Sequence, residues 1–236
     1  MSFTLLQNHV VRIPFFIIVL LFTLQSFAQR PATGTWLTLQ LPVELNSKWQ
    51  IHNDGGYRTL GNSITPLQYF YRTGLRYNIS KNLSTAAGVA IFFTRTTFTK
   101  QDDEFGREFR FWEELNYKTD LFKHTQWQVR LRIEQRNYAA TSNKAAYHAF
   151  RYRIRTQLQQ KLAAKWAIVF AGEYMQQYAR DSWSFDQNRL IINGIYSFNN
   201  HTQLQASYLL VRWPANSRQQ LFSVLFQKTI SLHAKG

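Results

Sequence analysis

Charged side chains recur at every second position through the middle of this 236-residue chain. Arg130, Arg132, Glu134 and Arg136 form one such set, and Arg151, Arg153 and Arg155 form another. Arg110 with Glu114, then Glu173 and Arg189, occupy similar places between apolar neighbours. Guanidinium and carboxylate groups at this spacing have two chemistries open to them. They can pair bidentately with one another across neighbouring strands, a structural girdle. Alternatively the arginines, which stay protonated at any relevant pH and outnumber the glutamates, can line a constriction that prefers anions.

Catalytic sets are poorly represented. Asp102, Asp103 and His148 fall in or beside longer loops, where a rim hydrolase would carry an acid–base pair, but no serine motif or orienting partner accompanies them. The six histidines are scattered and nowhere at metal-ligand spacing. No phosphate loop or dinucleotide fingerprint occurs. The sequence therefore predicts no enzyme and no cofactor, with a surface hydrolase or an adhesive, scaffolding barrel as the competing classes.

The elements that position these charges are strands. From Gln126, Trp127, Val129, Leu131 and Ile133 alternate with the polar set, and Phe150, Tyr152, Ile154 and Leu158 do the same up to Gln159. Successive side chains of a strand point to opposite faces, so each stretch has one apolar face and one charged face. Strands of about ten residues with this pattern are the mark of a transmembrane β-barrel, with lipid outside and a polar lumen. Similar alternation covers 35–45, 49–58, 67–79, 83–93, 107–118, 166–178, 185–198, 202–212 and a last stretch from Leu221. Short turns such as Ser80-Lys81-Asn82, 119–125 and Asn199-Asn200-His201 alternate with longer loops at 59–66, 96–106, 139–146 and around Asp181. The expected fold is an all-β, antiparallel, up-and-down transmembrane β-barrel of 10–12 strands. The pattern yields eleven segments, but bacterial barrels are usually even-numbered, so ten or twelve are expected. Glu113 falls by parity on the lipid face, where a charge is costly, which predicts either a β-bulge at Trp112-Glu113 or a different register. Ser84, Ala86, Gly88 and Ala90 fall on the lumenal face and are expected to leave room for large neighbours.

Composition agrees with export. An apolar run at 13–24 follows a weakly basic start, and Ser26-Phe27-Ala28 offers small residues at the peptidase positions, so 1–28 reads as a cleaved signal peptide. Residues 29–236 then form a single barrel domain. The chain carries a formal net charge of +15 and no cysteine. An exported protein rarely meets nucleic acid, so the charge is assigned to lumenal arginines and to anionic headgroups of membrane lipids and lipopolysaccharide. The 19 Phe, 12 Tyr and 7 Trp would supply interfacial belts. The expected location is the cell outer membrane, with its assembly machinery as a partner and small anions as candidate solutes.

The blocks Trp112-Glu113-Glu114-Leu115-Asn116-Tyr117-Lys118, Arg132-Ile133-Glu134-Gln135-Arg136 and Phe185-Asp186-Gln187-Asn188-Arg189-Leu190 carry a resemblance. With the opening Gly34-Thr35-Trp36-Leu37 and the closing run from Leu221, they resemble the domain of unknown function 2490 family of small bacterial outer-membrane β-barrel proteins. The resemblance implies a fold and a location, and it brings no activity with it. The terminal His233-Ala234-Lys235-Gly236 departs from the aromatic ending that such barrels usually present to the insertion machinery.

Overall fold

The computed structural model describes residues 32–59, 61, 64–96 and 104–232. The proposed leader at 1–28, the loop acids Asp102 and Asp103, and the tail from 233 lie outside these residues. Thirteen extended segments form one sheet: β1 (Ala32–Gln40), β2 (Val43–Glu44), β3 (Trp49–Thr59), β4 (Pro66–Asn78), β5 (Leu83–Arg95), β6 (Phe105–Phe122), β7 (Thr125–Tyr138), β8 (Tyr147–Lys161), β9 (Trp166–Ala179), β10 (Ser182–Ser197), β11 (Thr202–Arg212), β12 (Arg218–Lys228) and β13 (Ile230–Ser231). β2 continues β1 beyond Leu41-Pro42, and β13 continues β12 beyond Thr229, so the segments make eleven staves. Pro42 has no N–H to give to a ladder, which accounts for the first break.

The sheet closes on itself because β1 pairs with both β3 and β12. The expectation of an even number fails here. An up-and-down chain with an odd number of staves must bring its first and last staves together pointing the same way. The β1–β12 pairing is accordingly parallel, from Ala32 opposite Gln219 to Gln40 opposite Gln227, and β2–β13 continues it. The other pairings between neighbouring staves are antiparallel.

Five tight connections, at 45–48, 79–82, 123–124, 162–165 and 198–201, mark one end of the barrel. In three of them a side chain caps the turn it begins. Asn46 Oδ1 accepts from the amides of Lys48 and Trp49 at 2.9 Å, Ser80 Oγ from those of Asn82 and Leu83, and Asn199 Oδ1 from His201 N. Asn and Ser do this in turns because their short side chains reach backbone amides two residues on. The opposite end carries longer connections, with one exception. The loop expected around Asp181 is a two-residue turn of Arg180 and Asp181, both at positive φ, and β10 begins at Ser182. That backbone matches the right-handed twist of a hairpin. The turn expected at 119–125 likewise shrinks to Lys123-His124, because β6 runs on to Phe122.

Outward positions carry exposed Leu39, Leu75, Leu115, Leu131, Ile133, Ile154, Ile192 and Val224. Ring pairs border this band at both ends. Trp49–Tyr77, Tyr117–Trp127 and Trp166–Tyr196 lie toward the tight turns, and Tyr57–Tyr69, Tyr178–Trp183 and Tyr174–Phe185 toward the loops. Glu113 sits within the band. It is exposed, opposite Ala87 on one side and Ile133 on the other, and neither register shifts there, so the expected bulge is absent and the parity stands.

Two buried clusters fill part of the interior. Val169, Ala171, Ile191, Leu209, Val211 and Leu221 pack with Trp36, Ile195 and Trp213 on one wall. Phe70, Ala86, Ala90, Phe92 and Trp112 pack on another. The small lumenal residues do make room. A Cβ on Gly74 or Gly88 would come within 2.5 or 2.6 Å of Trp112 Cζ2, and the indole Nε1 donates to Val89 O at 3.2 Å. Among the described residues no helix is long and apolar enough to cross a membrane.

Candidate functional site

The registers of β6 to β9 decide what the lumenal charges can do. Three arginine pairs stand directly opposite each other: Arg110 with Arg136, Arg132 with Arg153, and Arg130 with Arg155. Like charges directly opposite on a sheet repel. Two of the pairs are bridged by a shared carboxylate. Glu108 accepts from Arg110 Nε at 2.6 Å and Nη2 at 2.8 Å, and from Arg136 Nε at 2.5 Å. Glu134 Oε1 lies 2.6 Å from Arg153 Nη1 and 3.7 Å from Arg132 Nη1. Its Oε2 is 3.4 Å from Arg110 and 3.7 Å from Arg151. Strands lie about 4.8 Å apart, so a glutamate one step along can reach both members of a facing pair.

The network extends on both sides. Glu114 accepts from Arg132 Nε at 2.9 Å and from Asn116 at 2.8 Å, with Arg76 at 3.3 Å. Glu173 gathers Arg130 at 2.8 Å, Arg153 at 2.7 Å and Arg189 at 3.4 Å. Asp186 holds Arg151 at 2.9 Å, and Asp54 holds Arg72 at 3.0 Å and His52 at 2.8 Å. Nine arginines and six carboxylates thus share the described ion pairs, leaving the interior cationic.

Aromatic rings take up part of the excess. Arg110 Cζ lies 3.7 Å from the Phe92 centroid and Arg132 Cζ 4.8 Å from that of Trp112. Arg58, which has no carboxylate within ion-pair distance among the described residues, sits 4.2 Å over Trp36 and donates to Gln68 Oε1 at 2.6 Å. A guanidinium is planar and weakly hydrated, so it stacks on ring faces where an ammonium would not.

Several side chains at the middle of the lumen are tightly enclosed. Glu134 and Glu173 are each 2% exposed, Trp112 3%, and Met175 and Leu221 0%. A pore wide enough for water would wet the side chains that line it. Larger cavities occur at the two ends instead. One of about 370 Å³ lies at the loop end beside Glu108, Arg136, Tyr138 and Tyr147, and one of about 390 Å³ at the turn end beside Lys161, Lys165 and Gln203.

All eleven charges singled out from the sequence, Arg110, Glu114, Arg130, Arg132, Glu134, Arg136, Arg151, Arg153, Arg155, Glu173 and Arg189, lie on the inward face. All but Arg155 take part in the ion pairs. Glu108, Asp54, Asp186, Arg72 and Arg76 complete the network. Glu108 shares the parity of Arg110, two residues on, a signal that was open to the same reasoning. Asp54 sits in a stretch interrupted by Gly55-Gly56, where the alternation is hard to follow. Of the hydrolase candidates, Asp102 and Asp103 lie outside the described residues, and His148 lies near the loop end on the outer face, with Nδ1 2.6 Å from Asn137 Oδ1. Among the described residues no group of three or more His, Asp or Glu could hold a metal ion.

No curated protein matches this chain. Residues 33–221, from the first stave into the last, match the family model for a protein of unknown function, DUF2490, so the chain belongs to the DUF2490 family.

Proposed function

We propose that this chain is a closed, non-conducting outer-membrane barrel with a structural, non-catalytic role in the envelope. The observation that carries the closed lumen is the enclosed middle layer, where Glu134, Glu173, Met175 and Leu221 are at most 2% exposed. Three features support the membrane setting. The sheet has no free edge, as hydrocarbon requires, because unpaired backbone groups there cost several kcal/mol. Its outer face is apolar, and ring pairs flank that face at both ends. The partners of such a barrel are membrane lipids, lipopolysaccharide and the outer-membrane assembly machinery.

The cationic excess favours a second reading, a narrow channel for small anions. Planar-bilayer recording separates the two. The closed barrel is expected to stay silent, and to melt at lower temperature when Arg151 and Arg153 become glutamine. Anion-selective conductance that falls with those substitutions would replace the structural reading with the channel. Recovery of the mature protein from the soluble periplasm would remove the membrane setting from both.

A further inference from the structure

The facing pair Arg130 and Arg155 differs from the other two. Arg155 stands opposite Glu173 in the β8–β9 register, yet the Glu173 oxygens are taken by Arg130, Arg153 and Arg189. Among the described residues no carboxylate lies within ion-pair distance of Arg155, and the Nε of both Arg130 and Arg155 is buried without an acceptor. Arg130 and Arg155 line a small cavity of about 40 Å³ together with Gln128 and Gln157, themselves a facing pair joined at 3.0 Å.

We propose that this cavity binds a small inorganic oxyanion of phosphate size. The chemistry is the one the barrel uses elsewhere. Glu108 and Glu134 each hold two facing arginines with one carboxylate. An external oxyanion would bridge Arg130 and Arg155 in the same way, with guanidinium forks on its oxygens and the Gln157 amide nearby. The small volume, room for a few water-sized groups, favours a compact oxyanion. Arg130 belongs to the ion-pair network, and Arg155 gives the site its specificity. The assignment does not depend on whether the barrel conducts.

The test is thermal unfolding of the purified barrel in detergent, titrated with inorganic phosphate at constant ionic strength made up with chloride. Wild type is expected to show a rise in Tm that begins near Kd and then grows by roughly 3–6 °C for each tenfold increase in phosphate. Arg155→Gln should fold, because it relieves a like-charge contact, and should lose the phosphate-dependent rise. Arg218→Gln, at the loop end of β12, should keep it. Should Arg155→Gln fail to fold, Arg155→Lys serves as the second variant, with the rise expected to shrink because the ammonium lacks the planar fork. A flat wild-type titration overturns the site, as does an equal rise in wild type and Arg155→Gln.

Discussion

Arg153 reaches past the residue directly opposite it, Met175, to place Nη2 2.7 Å from Glu173 Oε1 on the same neighbouring strand. Its Nη1 turns the other way, to Glu134 at 2.6 Å. One side chain thus ties the β7 and β9 carboxylates together across β8. Arg153→Gln leaves two buried glutamates short of charge, and breaking a buried pair from one side costs about 3–5 kcal/mol. Replacing Glu134 as well removes part of that orphaned charge, so the double variant should lose less than the sum of the two singles. Denaturant unfolding of the four proteins in one detergent measures the coupling, and additive losses would show that Arg153 and Glu134 act independently.

This network was half legible in the sequence. A two-residue period assigns faces without knowledge of the partner strand, so the inward set from Arg110 to Arg189 could be read directly. Which arginine meets which glutamate depends on register, and register is settled by turn lengths such as Lys123-His124, which looked longer than it is. The placement of guanidinium groups over Phe92, Trp112 and Trp36 was hidden for the same reason. The odd strand count was visible in the alternation. The even-number rule for bacterial barrels argues against that count, and the contact that permits it, β1 against β12, joins the two ends of the barrel and leaves no local trace.

Glu113 offers a test of the proposed membrane setting. A charge near the middle of that band is destabilising, though less so for a carboxylate than the roughly 2–4 kcal/mol of a lysine or arginine. Glu113→Leu should therefore raise the unfolding free energy in lipid vesicles, by up to about 2 kcal/mol, and leave the lumenal pairs untouched. In a soluble protein the same change would add an exposed leucine and gain nothing. A neutral or harmful effect in vesicles would count against an apolar environment at this position.

The loop end carries its own pH dependence. Glu104 accepts hydrogen bonds from Ser142 N at 2.9 Å and Ser142 Oγ at 2.5 Å, which hold its carboxyl below the ordinary value of 4.5. A carboxylate whose pKa is lower when folded stabilises its contact above the ordinary value. That contribution is lost as the pH falls from 4.5 through the depressed value. Proteolysis within 139–146 should accordingly speed up as the medium is acidified below that point. Glu104→Gln should be cleaved faster at neutral pH and show little further change on acidification. If wild type and variant shared one pH profile, Glu104 would not be the group holding the loop.

The parallel closure is the feature of this barrel most exposed to disproof, and the absence of cysteine makes it accessible. Leu37 on β1 stands opposite Val224 on β12, and both side chains face outward. Neighbouring strands bring facing Cα atoms within the 4.4–6.8 Å that a disulfide spans. Leu37→Cys with Val224→Cys should therefore oxidise efficiently in the folded barrel, and the product should resist unfolding on a heated gel until it is reduced. Leu37→Cys with Leu204→Cys is the control, because Leu204 lies on β11, one stave further away. An even-numbered barrel would have to leave one terminal stave out, or place a twelfth stave between β1 and β12. In either case β1 would not meet β12, and the Leu37–Val224 pair would stay reduced. Only parallel pairing in the observed register makes position 224 the preferred partner of position 37 and, by the same alignment, position 226 the preferred partner of position 39.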